Sequence, residues 1–302
     1  MSDQKDFTGT MPVQERHQFD EASLAAYLSS QIADFQTPLT VEQFKGGQSN
    51  PTYRLVTPNR NYVLRRKPPG KLLPSAHAVD REYRVITALA DTDVPVAKTY
   101  CLCEDTDVIG TAFYVMDCVD GRVMWDPTLP GHEPADRAAI FDAMNATIAA
   151  LHSVDVDAVG LTDYGKPGNY FERQIARWTK QYQASETETI DAMDRLIEWL
   201  PNNIPAGDEV SVVHGDYRLD NIMYHASEPR ILAVLDWELS TLGHPLADFA
   251  YHCMTWHIPH GVFRGLAGIN LAELGIPDEQ SYVAKYCERT GRDPIDPNHW
   301  DF

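Results

Sequence analysis

Two polar clusters hold the side chains whose types and spacing suit chemistry: His214-Gly-Asp216-Tyr-Arg218-Leu-Asp-Asn221, and Asp236-Trp-Glu238. Each follows a short apolar run, residues 210–213 and 231–235, and β-branched runs bounded by turn residues predict buried strands. Each strand therefore delivers an acidic group at its end. Between them residues 222–224 predict a third short strand and residues 226–229 a turn, so the stretch reads as loop, hairpin, acid. A carboxylate held beside a hydroxyl takes its proton, and amide and carboxylate oxygens on adjacent elements suit a hard cation such as Mg²⁺. Asp and Asn also fill ordinary turns after strands. Two such clusters on hairpin-linked strands favour the chemical reading over the turn reading.

The first cluster matches H-x-D-x-x-x-x-N, the catalytic-loop pattern of kinases. Phosphoryl transfer from ATP needs a carboxylate near the acceptor hydroxyl and oxygen ligands for the Mg²⁺ that bridges the phosphates. Asp216 suits the first role, Asn221 and Asp236 the second. HGDYRLDN followed by LDWE resembles the aminoglycoside phosphotransferase family of kinase-like enzymes, and most of all the kinase-like domains that occur alone in bacteria or fused ahead of acyl-CoA dehydrogenases. GGQSN from Gly46, YVLRRKPPG from Tyr62 and GNYFERQIARWTKQY from Gly168 carry the same resemblance, which spans the chain from about Gln43 onward. Protein kinases have Asp-Phe-Gly where this chain has Asp236-Trp-Glu, and no Ala-Pro-Glu follows, so no activation-loop switch is expected. The resemblance implies an α+β, two-lobed protein-kinase-like fold: an N-lobe antiparallel sheet plus helix, and a mainly helical C-lobe with the catalytic hairpin. The expected boundaries are a flexible leader over 1–18, a nucleotide-binding N-lobe over 19–119 and a C-lobe over 120–302.

The elements upstream must then position a nucleotide. A helix capped by Asp20 precedes strands at 41–44 and 52–57, joined by Lys45-Gly46-Gly47-Gln-Ser49-Asn50. A glycine pair lets backbone N–H groups approach phosphate closely, although a plain hairpin turn uses glycine equally well. A strand at 62–66 brings Arg65, and an amphipathic helix at 79–91 sets Glu82 beside its buried stripe, where a charge is costly unless paired. In kinase folds a third-strand Lys pairs with a Glu on the following helix and holds the phosphates. Arg65 takes that Lys position here, and arginine is long, always charged and able to make two bonds. Lys67, two residues on and on the same face, is the reserve candidate, while Arg66 points the other way. A solvated basic edge is the plainer reading of all three. Strands at 96–103 and 112–119 complete an expected five-stranded sheet. The segment from Met116 through Cys118 to Gly121 then marks a hinge where main-chain groups would hold adenine.

Farther on, Ile140, Met144, Ile148 and Leu151 recur at helical spacing as a core stripe. His152 reads as a helix-end cap without a catalytic role. A helix at 170–183 has Phe171, Ile175, Trp178 and Tyr182 on its apolar side and Arg173, Arg177 and Lys180 at i, i+4 and i+7. Such a row suits a carboxylate or phosphate on the acceptor, against the plainer reading of a solvated face; Arg218 is a further acceptor-binding candidate. Another helix is expected at 189–200. Asp248, in the first turn of a helix opened by Gly243-His244-Pro245, by resemblance braces the catalytic loop, and His214 braces the loop through hydrogen bonds. His244, His252, His257 and His260 lack a metal-ligand pattern and read as structural. A helix at 278–289 is closed by Gly291, and the chain stops at Phe302, where the family would continue with further helices.

The chain has 302 residues and a formal net charge of −19, which argues against general nucleic-acid binding. Five cysteines without C-x-x-C pairs argue against disulfides and zinc. No run approaches a membrane span and no secretory h-region opens the chain, so a cytoplasmic protein without membrane partners is expected. The expected activity is transfer of the γ-phosphoryl of ATP, or GTP, with Mg²⁺, to a hydroxyl of a small molecule. A hydroxy acid or hydroxyacyl-CoA acceptor follows from the cation row and the acyl-CoA dehydrogenase connection, which also implies a functional link to such a dehydrogenase. An aminoglycoside kinase is the main competitor. A non-catalytic nucleotide-binding pseudokinase would suit the Arg at the lysine position, and a metal-dependent hydrolase would be built on His214, Asp216, Asp236 and His244.

Overall fold

The computed structural model describes residues 9–45, 50–70, 77–295 and 300. In chain order the elements are β1 (Thr10–Met11), α1 (Glu21–Gln31), β2 (Thr40–Phe44), β3 (Thr52–Val56), β4 (Asn61–Arg66), α2 (Val79–Ala88), β5 (Thr99–Cys103) and β6 (Phe113–Asp117). They continue as α3 (Pro134–His152), α4 (Tyr170–Ser185), α5 (Asp191–Trp199), β7 (Ser211–Val213), β8 (Ile222–Tyr224), β9 (Ile231–Val234), β10 (Thr241–Gly243), α6 (Pro245–Cys253), α7 (Leu271–Leu274) and α8 (Glu279–Thr290). The chain forms two compact units. The first runs as far as Trp125 and takes back residues 220–238; the second holds residues 126–219 and the chain from Leu239 on.

The first unit is built on an antiparallel sheet in the order β1-β2-β3-β4-β6-β5. Tyr53, Leu55, Tyr62 and Leu64 alternate onto a core completed by Leu24, Leu28 and Ile32 from the α1 segment. The Asp20 carboxylate caps α1 by accepting from the N–H groups of Ala22 and Ser23. β4 lies between β3 and β6, and residues 62–66 are all buried. That central position corrects the reading of a solvated basic edge. Arg66 is 2% exposed on the face opposite Arg65, its guanidinium 5.1 Å from the Phe19 ring centroid and 5.7 Å from that of Tyr53. Lys67, past the strand end, lies 3.5 Å from Asp80.

Two expected boundaries shift. Residues 9–18 are not a loose leader: Thr10 and Met11 pair with β2 and make a sixth strand, and His17 joins Gln43 and Tyr53. The catalytic hairpin does not group with the helical unit. Its strands β8 and β9 pair antiparallel, Tyr224 exchanges backbone hydrogen bonds with Arg122, and Val234 N–H donates to the Pro95 carbonyl. These backbone bonds tie the hairpin to the sheet unit, so the division falls after Trp125 and again on either side of residues 220–238.

The second unit packs α3, α6 and α8 around an aromatic core. The Phe249 and Tyr286 rings stack at 3.8 Å, and Phe141 meets Trp256 and Tyr282 edge-on. α8 is capped by Asp278 and closed by Gly291 at φ +66°, a backbone conformation that favours glycine. β7 pairs with β10 antiparallel, with Val213 opposite Thr241 and Ser211 opposite Gly243, so residues 214 and 244 leave from opposite ends of the pair. All five cysteines are free thiols. Among the described residues no helix is long and apolar enough to cross a membrane.

Candidate functional site

In the first unit the charged groups gather on Arg65. Its Nε lies 2.7 Å from Glu82 Oε2, and its Nη2 lies 2.7 Å from Asp236 Oδ1 and 3.4 Å from Glu238 Oε2. Burial disfavours the guanidinium charge, but Glu82 above all, with Tyr114, Asp236 and Glu238, outweighs it and raises the Arg65 pKa. Burial pushes the Glu82 carboxyl up, and Arg65 pulls it back. Glu82 also accepts from Asn50 Nδ2 at 2.7 Å and from the Tyr114 hydroxyl at 3.1 Å, and His77 Nδ1 meets Asn50 Oδ1 at 3.0 Å. Asn50, expected to touch nucleotide, is instead wholly buried with its amide committed to Glu82. Gly46, Gly47 and Ser49 lie outside the described residues.

The hairpin supplies the oxygen donors. Leu235 N–H donates to the Asn221 carbonyl at 2.8 Å, so the strand pairing sets Asn221, at the head of β8, beside the turn that carries Asp236 past the end of β9. Asp236 has φ +62°, a left-handed conformation that Asp tolerates better than most residues. Asn221 is buried, and the Asp236 side chain is 36% exposed. This donor set is all oxygen, as Mg²⁺ prefers. Among the described residues no group of three or more His, Cys, Asp or Glu forms a metal cage, and Mg²⁺ on a nucleotide does not need one.

In the second unit the loop that carries Asp216 leaves β7 and turns at Gly215, φ +81°, where a Cβ would stand 2.9 Å from the Leu239 carbonyl oxygen. Only glycine fits that turn. Asp248, in the first turn of α6, holds the turn through the main chain: its Oδ2 accepts from His214 N–H at 2.7 Å and its Oδ1 from Gly215 N–H at 2.8 Å. Behind it, His152 Nε2 lies 3.2 Å from Asp248 Oδ2 and His152 Nδ1 lies 2.7 Å from the Tyr286 hydroxyl. Burial alone would raise the Asp248 carboxyl, but the hydrogen bond and charge of His152, together with His214, hold it below the usual carboxylate range. His152 is therefore more than a helix cap. The helix-end position was visible in the sequence, but its two buried partners were not.

His214 is fully buried and its Nδ1 accepts from Asp216 N–H at 3.2 Å. The Asp216 carboxylate is bound through Oδ1, which accepts from the Tyr251 hydroxyl at 2.8 Å and lies 3.1 Å from Arg218 Nε. Tyr251 was absent from the sequence reading, and its position three residues after Asp248 on one helix was the available signal. His252 is buried against the Tyr217 carbonyl and the Tyr282 hydroxyl, its pKa pushed down to about 4 by burial, and His244 caps α6.

The remaining expected residues are spread over both units. Met116 sits half-buried on β6 opposite Val63, and half-buried Cys118 follows the strand, its thiol pushed up by burial. Arg173 donates to the Lys166 carbonyl at 2.7 Å, Arg177 lies over the Trp178 ring at 5.6 Å, and Lys180 is exposed. The apolar side of α4 is not closed over. Phe171, Ile175, Trp178 and Tyr182 line a groove of about 320 Å³ with residues of α5 and α6, and Trp178 stays 54% exposed.

The chain is similar to several known proteins. The chain is 46% identical to mouse acyl-CoA dehydrogenase family member 10 over 97% of its own length, and it spans 28% of that relative's length. A crystal structure from Ralstonia eutropha, described as a "putative aminoglycoside phosphotransferase", is 62% identical with a TM-score of 0.86, over 92% of this chain and 82% of that one. Aminoglycoside phosphotransferase APH(4)-Ia, in a ternary complex with AMP-PNP and hygromycin B, shares the fold at 17% identity and a TM-score of 0.53, over 76% of this chain and 75% of that one. The profile of the phosphotransferase enzyme family matches residues 40–282, from β2 to the start of α8, and the chain belongs to that family.

Proposed function

We propose that the protein transfers the γ-phosphoryl group of ATP to a hydroxyl of a small molecule, and that the acceptor is a hydroxy acid or hydroxyacyl-CoA. The strongest support is the backbone bond between Leu235 and Asn221, which sets an amide beside Asp236, while Asp216 stands five residues earlier on a loop fixed by Asp248. Asp216 accepts the proton of the acceptor hydroxyl as that oxygen attacks the γ-phosphorus and ADP departs. Arg65, held by Glu82, binds the phosphates, and Met116 and Cys118 flank the main-chain groups that meet the base. Asn221 and Asp236 hold Mg²⁺, which when bound neutralises phosphate charge. Positioning and electrostatics supply most of the rate in such transfers.

The acceptor reading rests on α4. Its cations Arg173, Arg177 and Lys180 form a row on the face away from the apolar groove, a row that suits an anionic acceptor and disfavours a polycation such as an aminoglycoside. A relative fused to an acyl-CoA dehydrogenase points to the same chemistry. The test is a panel of hydroxyacyl-CoA, free hydroxy acids and aminoglycosides with labelled ATP and Mg²⁺. Label on the hydroxyacyl-CoA is the expected result. Label on aminoglycosides alone would overturn the acceptor, and nucleotide binding without transfer to any acceptor or to water would identify a pseudokinase.

A further inference from the structure

Helix α6 presents two residues, one turn apart, to one loop. Asp248 grips the main chain at His214 and Gly215, and Tyr251 grips the side chain of Asp216, its hydroxyl donating to Oδ1 at 2.8 Å. Residues three apart on a helix share a face, so both contacts are set by one rigid element. We infer that Tyr251 is a positioning residue for the transfer reaction: its hydroxyl, with Arg218, fixes the rotation of the Asp216 carboxylate that meets the acceptor hydroxyl. This rests on the reading of Asp216 as the group that meets the acceptor.

The physical need is specific. The last torsion of an aspartate is broad and roughly two-fold, so an unheld carboxylate samples orientations that are useless for taking a proton in one direction. The hydrogen bond from Tyr251 at 2.8 Å and the ion pair with Arg218, whose Nε lies 3.1 Å from the same oxygen, restrict that freedom, because rotation would break both contacts. Tyr251 is suited to constant service: burial and the hydrogen bond to Asp216 push its phenol up to about 12, so it keeps its proton and remains a donor at any working pH. Arg218 is in turn steadied by the Phe263 ring, whose centroid is 5.8 Å from its guanidinium carbon.

The test is Tyr251→Phe, which keeps the ring and removes the hydroxyl, assayed in the full chain with Mg·ATP and two acceptors, water and 3-hydroxybutyryl-CoA. A hydrogen bond to a charged group is strong enough that kcat should fall about tenfold, with KM for Mg·ATP within about twofold of wild type. The melting temperature should hardly move. In an Asp216→Asn background the same change should cost no further activity. An unchanged kcat, or an equal loss in the Asp216→Asn background, overturns the positioning role. The contact has its own readout: the ¹³Cζ resonance of Tyr251 should shift on Asp216→Asn at neutral pH, and a resonance that stays put overturns the contact itself. Failure of the underlying reading looks different, since wild type would then bind Mg·ATP, show the resonance shift and transfer to neither acceptor, which overturns the reaction and the role together.

Discussion

The two acid-bearing turns of this protein are held in opposite ways. The Asp216 turn is fixed by hydrogen bonds to its main chain: Asp248 accepts two backbone N–H groups, and His152 and Tyr286 complete a buried chain behind it. The Asp236 turn is held by charge, with one guanidinium, Arg65, facing the carboxylates of Glu82, Asp236 and Glu238. At the second turn three carboxylates share one guanidinium. The first turn takes its shape from the two main-chain N–H groups that Asp248 accepts. On the proposed roles, a base is aimed before the acceptor arrives, whereas a metal ligand stays receptive until the nucleotide brings its cation.

The comparison breaks most sharply at Asp216. Asp216→Ala should lower transfer about a thousandfold, within the range for losing a positioned acid or base, with nucleotide affinity by calorimetry within about threefold. Next, Asp248→Ala removes a buried charge that serves two amides and a histidine, and urea unfolding should show a loss of about 3 kcal/mol. The folded pKa of Asp248 is depressed, so its contribution is complete above the unfolded aspartate value of about 3.9 and is lost as pH falls through the lower folded value. Wild type should therefore lose stability in that acid range, and the Ala variant should show a shallower decline there. If instead Asp248→Ala changed only nucleotide binding, the division between a hydrogen-bonded turn and a charge-held turn would collapse.

On the charge-held side, Arg65→Lys should weaken Mg·ATP binding about tenfold, because a single ammonium cannot reach Glu82 and Asp236 in the manner of a planar guanidinium. Titration with Mg·ATP and a fluorescent nucleotide measures it, and affinity equal to wild type would show that the charge alone matters. The smallest effect is expected at the exposed helix. Arg177→Glu should raise KM for hydroxyacyl-CoA about threefold at low salt, leave KM for Mg·ATP unchanged and lose its effect at high ionic strength.

Much of the site was legible because the chemistry is compressed into short spacing. His214, Asp216 and Asn221 fall within one loop, and Asp236 follows a strand of unmistakable β-branched pattern, so local rules were enough to find them. The Arg65 and Glu82 pair was legible for a different reason, since a carboxylate on a buried helix stripe demands a cation. What escaped was contact between residues far apart in sequence. Tyr114 and Asn50 on Glu82, His152 and Tyr286 behind Asp248, and Tyr251 on Asp216 are contacts whose two sides lie in different segments. Asn50 was placed near nucleotide because its loop looked suited to phosphate, yet its side chain is buried in support of Glu82. Residues 10 and 11 were not read as a strand because two residues have no periodicity to detect.

By itself the sequence determined the element types, the family, and the residue kinds that phosphoryl transfer requires, because those depend on spacing of a few residues and on local conformational preference. Only the tertiary structure decided how each acid is held. Whether Arg65 and Arg66 are edge or core depends on β4 lying between two other strands, and whether the hairpin groups with the first unit depends on its bonds to Arg122 and Pro95. That Asp216 Oδ1 meets a tyrosine hydroxyl depends on Tyr251, 35 residues farther along the chain. Burial and pairing are set by what the rest of the chain brings near, and that is a property of the fold, not of any segment.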